Sequence, residues 1–242
     1  MIDHRNMSLP SPEIILALDL EDQDQIHQVL EKTGDRLTWV KVGLQSYLRD
    51  GTDLVHKLAD SGKKVFLDLK LHDIPNTMVK ALESLSTLPV GMITLHASAG
   101  PEALDRCASF ARQNMPGVTL LGVTVLTSTN QKGLEATGVK DPVDDQVCRL
   151  ATLATDQGIG GIVCSPLELA KLRKILPSST RLVTPGIRPL DSDAGDQKRV
   201  MTPAQAKQQG ANFLVIGRPI LTAADPRLAL DSIVKEMELC KI

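Results

Sequence analysis

Short apolar runs of about five to eight residues recur along the chain at intervals of roughly 25 to 30 residues. Each run is rich in Val, Ile and Leu and is apolar on both faces, which is typical of parallel strands covered by helices on each side. The predicted strands are "IILALDL" (14–20), "WVKVGL" (39–44), "KVFLDLK" (64–70), "GMITLHA" (91–97), "TLLGVTVL" (119–126), "GIVCS" (161–165), "RLVTPGI" (181–187) and "FLVIGRP" (213–219).

Amphipathic segments with helical spacing lie between these runs, and several carry helix start and stop signals. Pro101 stands at a first helical position, while Thr202 and Gly210 bracket "TPAQAKQQG" as an N-cap and a terminating glycine. Eight predicted strands alternating with helical segments predict an α/β protein, a (β/α)₈ TIM barrel in one domain over residues 1–242, with 1–12 as a lead-in. A doubly wound open sheet is the alternative, but it usually has fewer strands and a recognisable switch point. The helical segments are 22–35, 77–88, 101–114, 144–158, 166–176, 202–210 and 225–239.

Composition narrows the class of function. The 242 residues suit one barrel, and a net charge of −2 with 2% aromatic residues argues against a partner that is a nucleic acid polymer. The N-terminus lacks the apolar stretch of a secretory signal, and no run of about 18 apolar residues predicts a membrane span. The four cysteines match no metal template, so we expect reduced thiols, no metal site and a cytoplasmic protein.

Charged residues fall where the predicted strands end, which is the end of a barrel that carries active sites. Asp19 ends the first strand, Lys41 lies in the second, and Asp68 and Lys70 end the third, with Asp73 three positions later. Strand alternation predicts that Asp68 and Lys70 face the barrel interior together. We expect Lys41, Lys70, Asp68 and Asp73 to form an array of alternating charge, whereas a structural ion pair between strands is the alternative.

The seventh and eighth predicted strands each end with a glycine close to an arginine. "VTPGIRP" (183–189) carries Gly186 and Arg188, and "VIGRP" (215–219) carries Gly217 and Arg218. Glycine lets backbone N–H groups approach an anion, and the guanidinium fork fits a phosphate, so these loops predict a phosphate site. The polar segment between them, 188–200, is expected to act as a lid.

Together, "FLDLKLHDIPNT", "VTVLTS", "VTPGIRP", "GDQKR" and "VIGRP" resemble the bacterial orotidine 5′-monophosphate decarboxylases. The motifs extend from Asp19 to Arg218, nearly the whole chain. The resemblance implies cofactor-independent decarboxylation of orotidine 5′-monophosphate to uridine 5′-monophosphate in pyrimidine biosynthesis. It also implies a homodimer with shared active sites, because Asp73 and Thr77 match residues that enter the partner subunit's site.

The resemblance further assigns substrate contacts by position. Asp68 and Lys70 match the Asp and Lys of the family's DxK motif. Asp19 is implied to contact the ribosyl or pyrimidine part, and Lys41 to contact the ribose and the neighbouring carboxylate. Thr127 and Ser128 are implied to meet the pyrimidine edge, while Gln197 and Arg218, assisted by Arg188, bind the phosphate. Pro185 and Ile74 are implied to line the apolar pocket around the leaving carboxylate.

Since the chain carries no cofactor motif, we expect protein electrostatics to stabilise the carbanion, with Lys70 as the group that stabilises and then protonates C6. His72 and His96 lie close to the motif and are interpreted as hydrogen-bonded structural histidines. Two other functions stay open: a metal-assisted decarboxylase or aldolase of the same superfamily acting on a sugar phosphate, and a non-catalytic nucleotide-binding barrel.

Overall fold

A closed barrel of eight parallel strands forms the centre of the computed structural model, which describes residues 11–189 and 200–239. Each strand pairs with the next, and β8 returns to pair with β1. The predicted (β/α)₈ barrel is therefore confirmed, while most of the predicted lead-in lies outside the described residues. The strands are β1 Glu13–Ala17, β2 Trp39–Gly43, β3 Lys64–Leu71, β4 Val90–His96, β5 Thr119–Val123, β6 Gly161–Val163, β7 Arg181–Thr184 and β8 Phe213–Ile216.

Helices cover the outside of this barrel in the described part of the chain. They are α1 Gln23–Thr33, α2 Leu44–Asp60, α3 Pro75–Leu85, α4 Pro101–Asn114, α5 Gln131–Ala136, α6 Val143–Asp156, α7 Leu169–Ile175, α8 Pro203–Gln208, α9 Arg218–Leu221 and α10 Pro226–Leu239. Local signals set several starts: Asp22 caps α1 by accepting from the Gln25 N–H at 2.8 Å, and Thr202 forms a capping box with Gln205.

The helix α2 is absent from the helical segments predicted above, although it is 17 residues long. It contains Gly51 at φ 66°, a left-handed conformation that interrupts the helical geometry in its middle. The interruption divides the helix into two shorter stretches, which makes its periodicity hard to recognise. The short helices α5 and α9 were also not predicted.

Two apolar layers follow from the alternation of side chains along the strands. An inner cluster fills the barrel with residues that include Ile15, Trp39, Phe66, Met92 and Phe213. A larger outer cluster lies between the strands and the helices and contains the other parity of each strand. The indole of Trp39 closes the amino end of the barrel, where its ring packs edge-on against Phe213 with centroids 5.6 Å apart. The carboxyl end is left for polar side chains.

The cysteines agree with the expectation of reduced thiols within the described residues. Cys107, Cys148 and Cys164 are free, and two of them are buried. Burial raises the pKa of Cys164 to about 12 and that of Cys107 to about 11, so neither is a ready nucleophile. Cys240 lies outside the described residues.

Candidate active site

Four charged side chains, located on β2, on β3 and just after β1, form a continuous chain of ion pairs at the carboxyl end of the barrel. The Lys70 ammonium donates to both carboxylate oxygens of Asp68, each at 2.8 Å. Lys41 Nζ lies 3.6 Å from Asp68 Oδ2 and 3.1 Å from Asp19 Oδ1. The order Asp19–Lys41–Asp68–Lys70 alternates in sign, so each neighbour stabilises the charge beside it.

Asp68 is the buried centre of this chain. Its side chain is 13% exposed, that of Lys41 is 11% exposed, and that of Lys70 is 37% exposed. Burial raises the pKa of the Asp68 carboxyl, but the opposing effects of Lys41, Lys70 and the Thr94 hydroxyl together hold it below its usual value. Asp68 is thus an anion at neutral pH, while the ammonium of Lys70 extends toward the open mouth.

Asp73 does not join this array within its own chain, contrary to the expectation from strand alternation. Among the ion pairs of the described residues, Asp19 occupies the place that the sequence interpretation gave to Asp73. The Asp73 carboxylate instead accepts the Ile74 N–H at 2.7 Å, just before α3, and is exposed to solvent. Asp73 lies beyond the strand, so strand alternation does not determine the direction of its side chain.

Ile74 and Thr77 lie beside Asp73 on the same exposed segment at the start of α3. Ile74 is 66% exposed, which is unusual for a large apolar side chain. Thr127 and Ser128 follow β5 at the carboxyl end of the barrel, where Thr127 is half-buried and Ser128 is exposed. All four therefore lie at the end of the barrel that the sequence predicted.

A cavity of about 330 Å³ opens beside the charged array, between the ends of β1, β7 and β8. Lys41 lines it and also touches Asp68, so this lysine joins the cavity to the rest of the array. A larger hollow of about 510 Å³ lies between α1 and α2, on the outside of the barrel and away from this chemistry. The smaller cavity is lined by Ala17, Asp19, Lys41, Pro185, Gly186, Arg188, Val215, Gly217, Arg218 and Leu221.

The two arginines reach this cavity in different ways. Arg188 is 9% exposed, and its backbone N–H donates to the Met201 carbonyl at 3.0 Å. Gly186, two residues earlier, has φ 78° and accepts from the Met201 N–H at 3.3 Å. Arg218 begins α9 directly after Gly217 and is exposed. Gln197 and most of the predicted lid lie outside the described residues.

Two site residues were missed by the sequence analysis. Thr94 in β4 is fully buried and donates its hydroxyl to Asp68 Oδ1 at 3.0 Å. Gly43 in β2 lies against the array: a Cβ there would stand 2.9 Å from Lys41 Nζ and 3.1 Å from Asp19 Oδ1. Each has a weak signal in the sequence, because each has the inward parity of its strand and neither is a large apolar residue.

His72 and His96 form a pair at the mouth of the barrel. Their ring centroids are 5.0 Å apart and the rings are tilted by 37°. Burial lowers the pKa of His96 below its usual value, and the positive potential of His72 and Lys70 acts in the same direction. His96 is therefore neutral at pH 7 and lies next to Lys70.

The described residues contain neither a metal-binding cluster nor a helix that could span a membrane. They contain no group of three or more His, Cys, Asp or Glu side chains that is arranged to hold a metal ion. None of the helices in 11–189 and 200–239 is both long enough and apolar enough to cross a membrane.

Comparisons with known proteins show the family of this chain. A family model described as "Orotidine 5′-phosphate decarboxylase / HUMPS family" matches residues 12–233. An orotidine 5′-phosphate decarboxylase of Opitutus terrae is 51% identical over 226 residues, which cover 93% of this chain and 98% of the relative. One of Rhodopseudomonas palustris (strain BisB5) is 46% identical over 224 residues, covering 93% and 94%. A crystal structure described as orotidine 5′-phosphate decarboxylase from Lactobacillus acidophilus matches with a TM-score of 0.83 at 37% identity, covering 94% of this chain and 99% of that one. The chain belongs to the orotidine 5′-phosphate decarboxylase / HUMPS family.

Proposed function

We propose that this chain decarboxylates orotidine 5′-monophosphate to uridine 5′-monophosphate in pyrimidine biosynthesis, with Lys70 at the reacting carbon. Family membership supports the reaction. The single structural observation that carries the assignment of Lys70 is its ammonium, held by two 2.8 Å hydrogen bonds to Asp68 at the open end of the barrel. A cation fixed in this way is in place before charge develops on the substrate.

The reaction requires stabilisation of a carbanion. When the bond between C6 and its carboxyl carbon breaks, CO₂ leaves and the electron pair stays on C6. The Lys70 ammonium lies beside this developing charge and stabilises it, then transfers one N–H proton to C6. The resulting amine regains a proton from solvent, which completes the cycle.

Asp68 has two roles in this proposal. It fixes the position of the Lys70 ammonium, and its negative charge faces the carboxylate of the substrate. Because the carboxyl of Asp68 has a lowered pKa, it stays ionised when a second anion binds close to it. The repulsion between the two carboxylates is relieved as CO₂ departs, although this effect is secondary to the stabilisation of the carbanion.

The cavity beside the array is proposed to bind the phosphate and ribose. Arg188, Arg218 and the backbone at Gly186 and Gly217 line it on one side, and Lys41 lines it on the other. Two guanidinium groups and glycine backbone suit a phosphate, and Lys41 with Asp19 suits ribose hydroxyls. Binding energy from the phosphate can then position the pyrimidine against Lys70.

A homodimer with shared sites is the second part of the proposal. It is supported by the exposure of Asp73, Ile74 and Thr77 at the mouth of the barrel. The Asp73 carboxylate takes no part in the ion pairs of the array in its own chain that are described above. Large apolar side chains on α2 are also exposed, with Leu44 at 54% and Leu48 at 75%. Such exposure is typical of a surface that another subunit covers.

The cytoplasm is proposed as the compartment of this enzyme. Three free cysteines among the described residues suit a reducing environment, as does a substrate that is a small phosphorylated metabolite. Cell fractionation with an antibody against the chain would test the assignment, and recovery in the membrane or periplasmic fraction would contradict it.

The decisive experiment mixes the purified protein with orotidine 5′-monophosphate in excess EDTA and follows the ultraviolet absorbance of the pyrimidine. We expect turnover that EDTA does not reduce. Loss of activity in EDTA would favour the metal-assisted alternative, and no turnover with or without added Mg²⁺ would favour a binding protein.

Variants of two lysines on the same strand test the role of Lys70. Lys70→Ala should lower kcat by at least about a thousandfold while binding of uridine 5′-monophosphate stays measurable. Lys64→Ala is the matched control, because Lys64 lies at the other end of β3 and is exposed beside Trp39. Normal turnover by Lys70→Ala would reject the assignment.

A further inference from the structure

The pairing between β3 and β4 is irregular at the segment that carries Asp68 and Lys70. Leu67 is opposite Ile93 and Leu71 is opposite Leu95, so the three residues 68–70 of β3 face the single residue Thr94 of β4. A regular ladder places one residue opposite one. The extra residues form a bulge, and bulges redirect side chains next to active sites.

Lys70 has the unusual backbone conformation within this bulge. Its φ is 53°, and it is the one non-glycine residue with positive φ in the described part of the chain. A residue with a Cβ adopts this left-handed region only when its surroundings hold it there. The broken ladder also removes the regular strand partner of the Lys70 N–H.

The side chain of Thr94 hydrogen-bonds to both Lys70 and Asp68 across the bulge. The Thr94 hydroxyl oxygen accepts the Lys70 N–H at 2.8 Å and donates its own proton to Asp68 Oδ1 at 3.0 Å. The directions are fixed by chemistry, because an N–H can only donate and an ionised carboxylate can only accept. Thr94 is fully buried, so water does not compete for either bond.

We propose that Thr94 is a positioning residue, whose hydroxyl fixes the left-handed backbone of Lys70 and the orientation of the Asp68 carboxylate that holds the Lys70 ammonium. The inference rests on the proposed function, since it assigns Thr94 to the geometry of that same site. Thr94 hydrogen-bonds the Lys70 backbone and the Asp68 side chain, and it is not among the residues that line the phosphate cavity. Its loss should therefore affect the chemical step more than substrate binding.

The test compares Thr94→Val with Thr94→Ser. Valine keeps the branched shape and lacks the hydroxyl, whereas serine keeps the hydroxyl. We expect Thr94→Val to lower kcat by about 10- to 100-fold with KM changed less than about threefold, because a misplacement of the order of 1 Å is costly at the reacting centre. Thr94→Ser should retain kcat within about threefold of the parent.

A control variant separates positioning from stability. Thr33 is also fully buried, but its hydroxyl donates to the Val29 and Leu30 carbonyls of α1. Thr33→Val should lower the melting temperature and leave kcat unchanged. If Thr94→Val behaves in the same way, Thr94 is merely structural and the proposal is overturned. If Thr94→Val does not fold, Thr94→Ala carries the same expectation, and an alanine variant with parental kcat overturns it equally.

A measurement that does not depend on activity separates the proposed role of Thr94 from the proposed function of the protein. The Thr94 hydroxyl is one of the groups that lower the pKa of Asp68, so the pKa of that carboxyl should rise in Thr94→Val and not in Thr94→Ser. Carbon-detected NMR titration of Asp68 measures this even in an inactive protein. Wild-type inactivity would reject the proposed function alone, whereas an active wild type with an unchanged Thr94→Val would reject only the role of Thr94.

Discussion

Lys70 and Asp68 stand two positions apart on β3, and the ammonium of one lies 2.8 Å from both carboxylate oxygens of the other. The two side chains meet within a bulge, where Lys70 has a left-handed backbone. The pair is therefore a product of tertiary structure and not of regular strand geometry. It also leaves Asp68 as a buried anion between two cations, Lys70 and Lys41.

Replacing Asp68 with Asn should affect both activity and stability. The change leaves the ammonium groups of Lys41 and Lys70 without the anion between them, so the array carries uncompensated positive charge. We expect kcat to fall by at least about 100-fold. The free energy of unfolding at pH 7 should fall by about 1–3 kcal/mol, because partly buried donors lose a charged acceptor. Steady-state kinetics and urea unfolding measure the two effects.

Asp105→Asn is a suitable control for that variant. Asp105 lies on α4 and is exposed. Substitutions at such surface positions usually change stability by less than about 0.5 kcal/mol. An Asp68→Asn protein that matched Asp105→Asn in both measurements would show that the array is neither catalytic nor balanced as described.

Gly43→Ala should impair the site while leaving the fold almost unchanged. The new methyl group would lie 2.9 Å from Lys41 Nζ and 3.1 Å from Asp19 Oδ1, so these charged ends must separate. The backbone at Gly43 has φ −85°, which any residue can adopt. We expect kcat/KM to fall about 10- to 100-fold, because ends of flexible side chains move cheaply but the ribose contacts depend on them. Stability should change by less than about 1 kcal/mol.

Gly91→Ala should give the opposite result. A Cβ at Gly91 would lie 2.6 Å from the Trp39 ring, which is packed inside the amino end of the barrel and cannot move aside easily. Such overpacking typically costs about 1–3 kcal/mol. At 25 °C the folded fraction should keep its kcat, because Trp39 lies at the end of the barrel away from Lys70. If Gly43→Ala lost stability and kept activity, the proposed role of the Lys41–Asp19 pair would be wrong.

The sequence predicted the architecture because it depends on local periodicity, and it located most of the array because charged residues stand at the ends of the apolar runs. Apolar runs locate all eight strands, and charges at their ends locate Asp19, Lys41, Asp68 and Lys70. Most predicted strands extend too far, for example to residue 20 where β1 ends at Ala17. The apolar runs continue into the loops after the ladder has ended, so strand ends are not visible in the sequence.

The parts that were missed depend on pairing between distant segments. The importance of Thr94 follows from a bulge in the β3–β4 register, and that of Gly43 follows from the space that Lys41 and Asp19 occupy. Neither register nor free space is encoded in a local pattern. Asp73 does not join the array of its own chain because it follows the strand, where the alternation of side chains no longer applies.

Subunit mixing should restore activity to a pair of inactive variants if the sites are shared. In a mixed dimer of Lys70→Ala and Asp73→Ala chains, one site receives both defects and the other receives neither. Random 1:1 mixing should therefore yield about one quarter of the wild-type site concentration. The measurement is turnover after the two variants are unfolded and refolded together. Equal amounts refolded separately and then combined provide the control, and no recovery on joint refolding would contradict shared sites.

Protonation of His96 should make the protein less stable in mild acid. Because burial, His72 and Lys70 lower the pKa of His96 in the folded state, the unfolded chain takes up its proton first as the pH falls through about 6.5. The unfolded state then binds more protons, so the free energy of unfolding decreases until the pH falls below the folded pKa. His96→Gln removes this contribution. Its stability relative to the wild type should improve as the pH falls from 7.5 to 5.5, a range about one unit either side of the ordinary imidazole pKa of about 6.5. Urea unfolding across this range measures the difference, with the exposed His27→Gln on α1 as the comparison for loss of an imidazole. If the His96→Gln and wild-type curves stayed parallel, the folded state would not lower the pKa of this histidine.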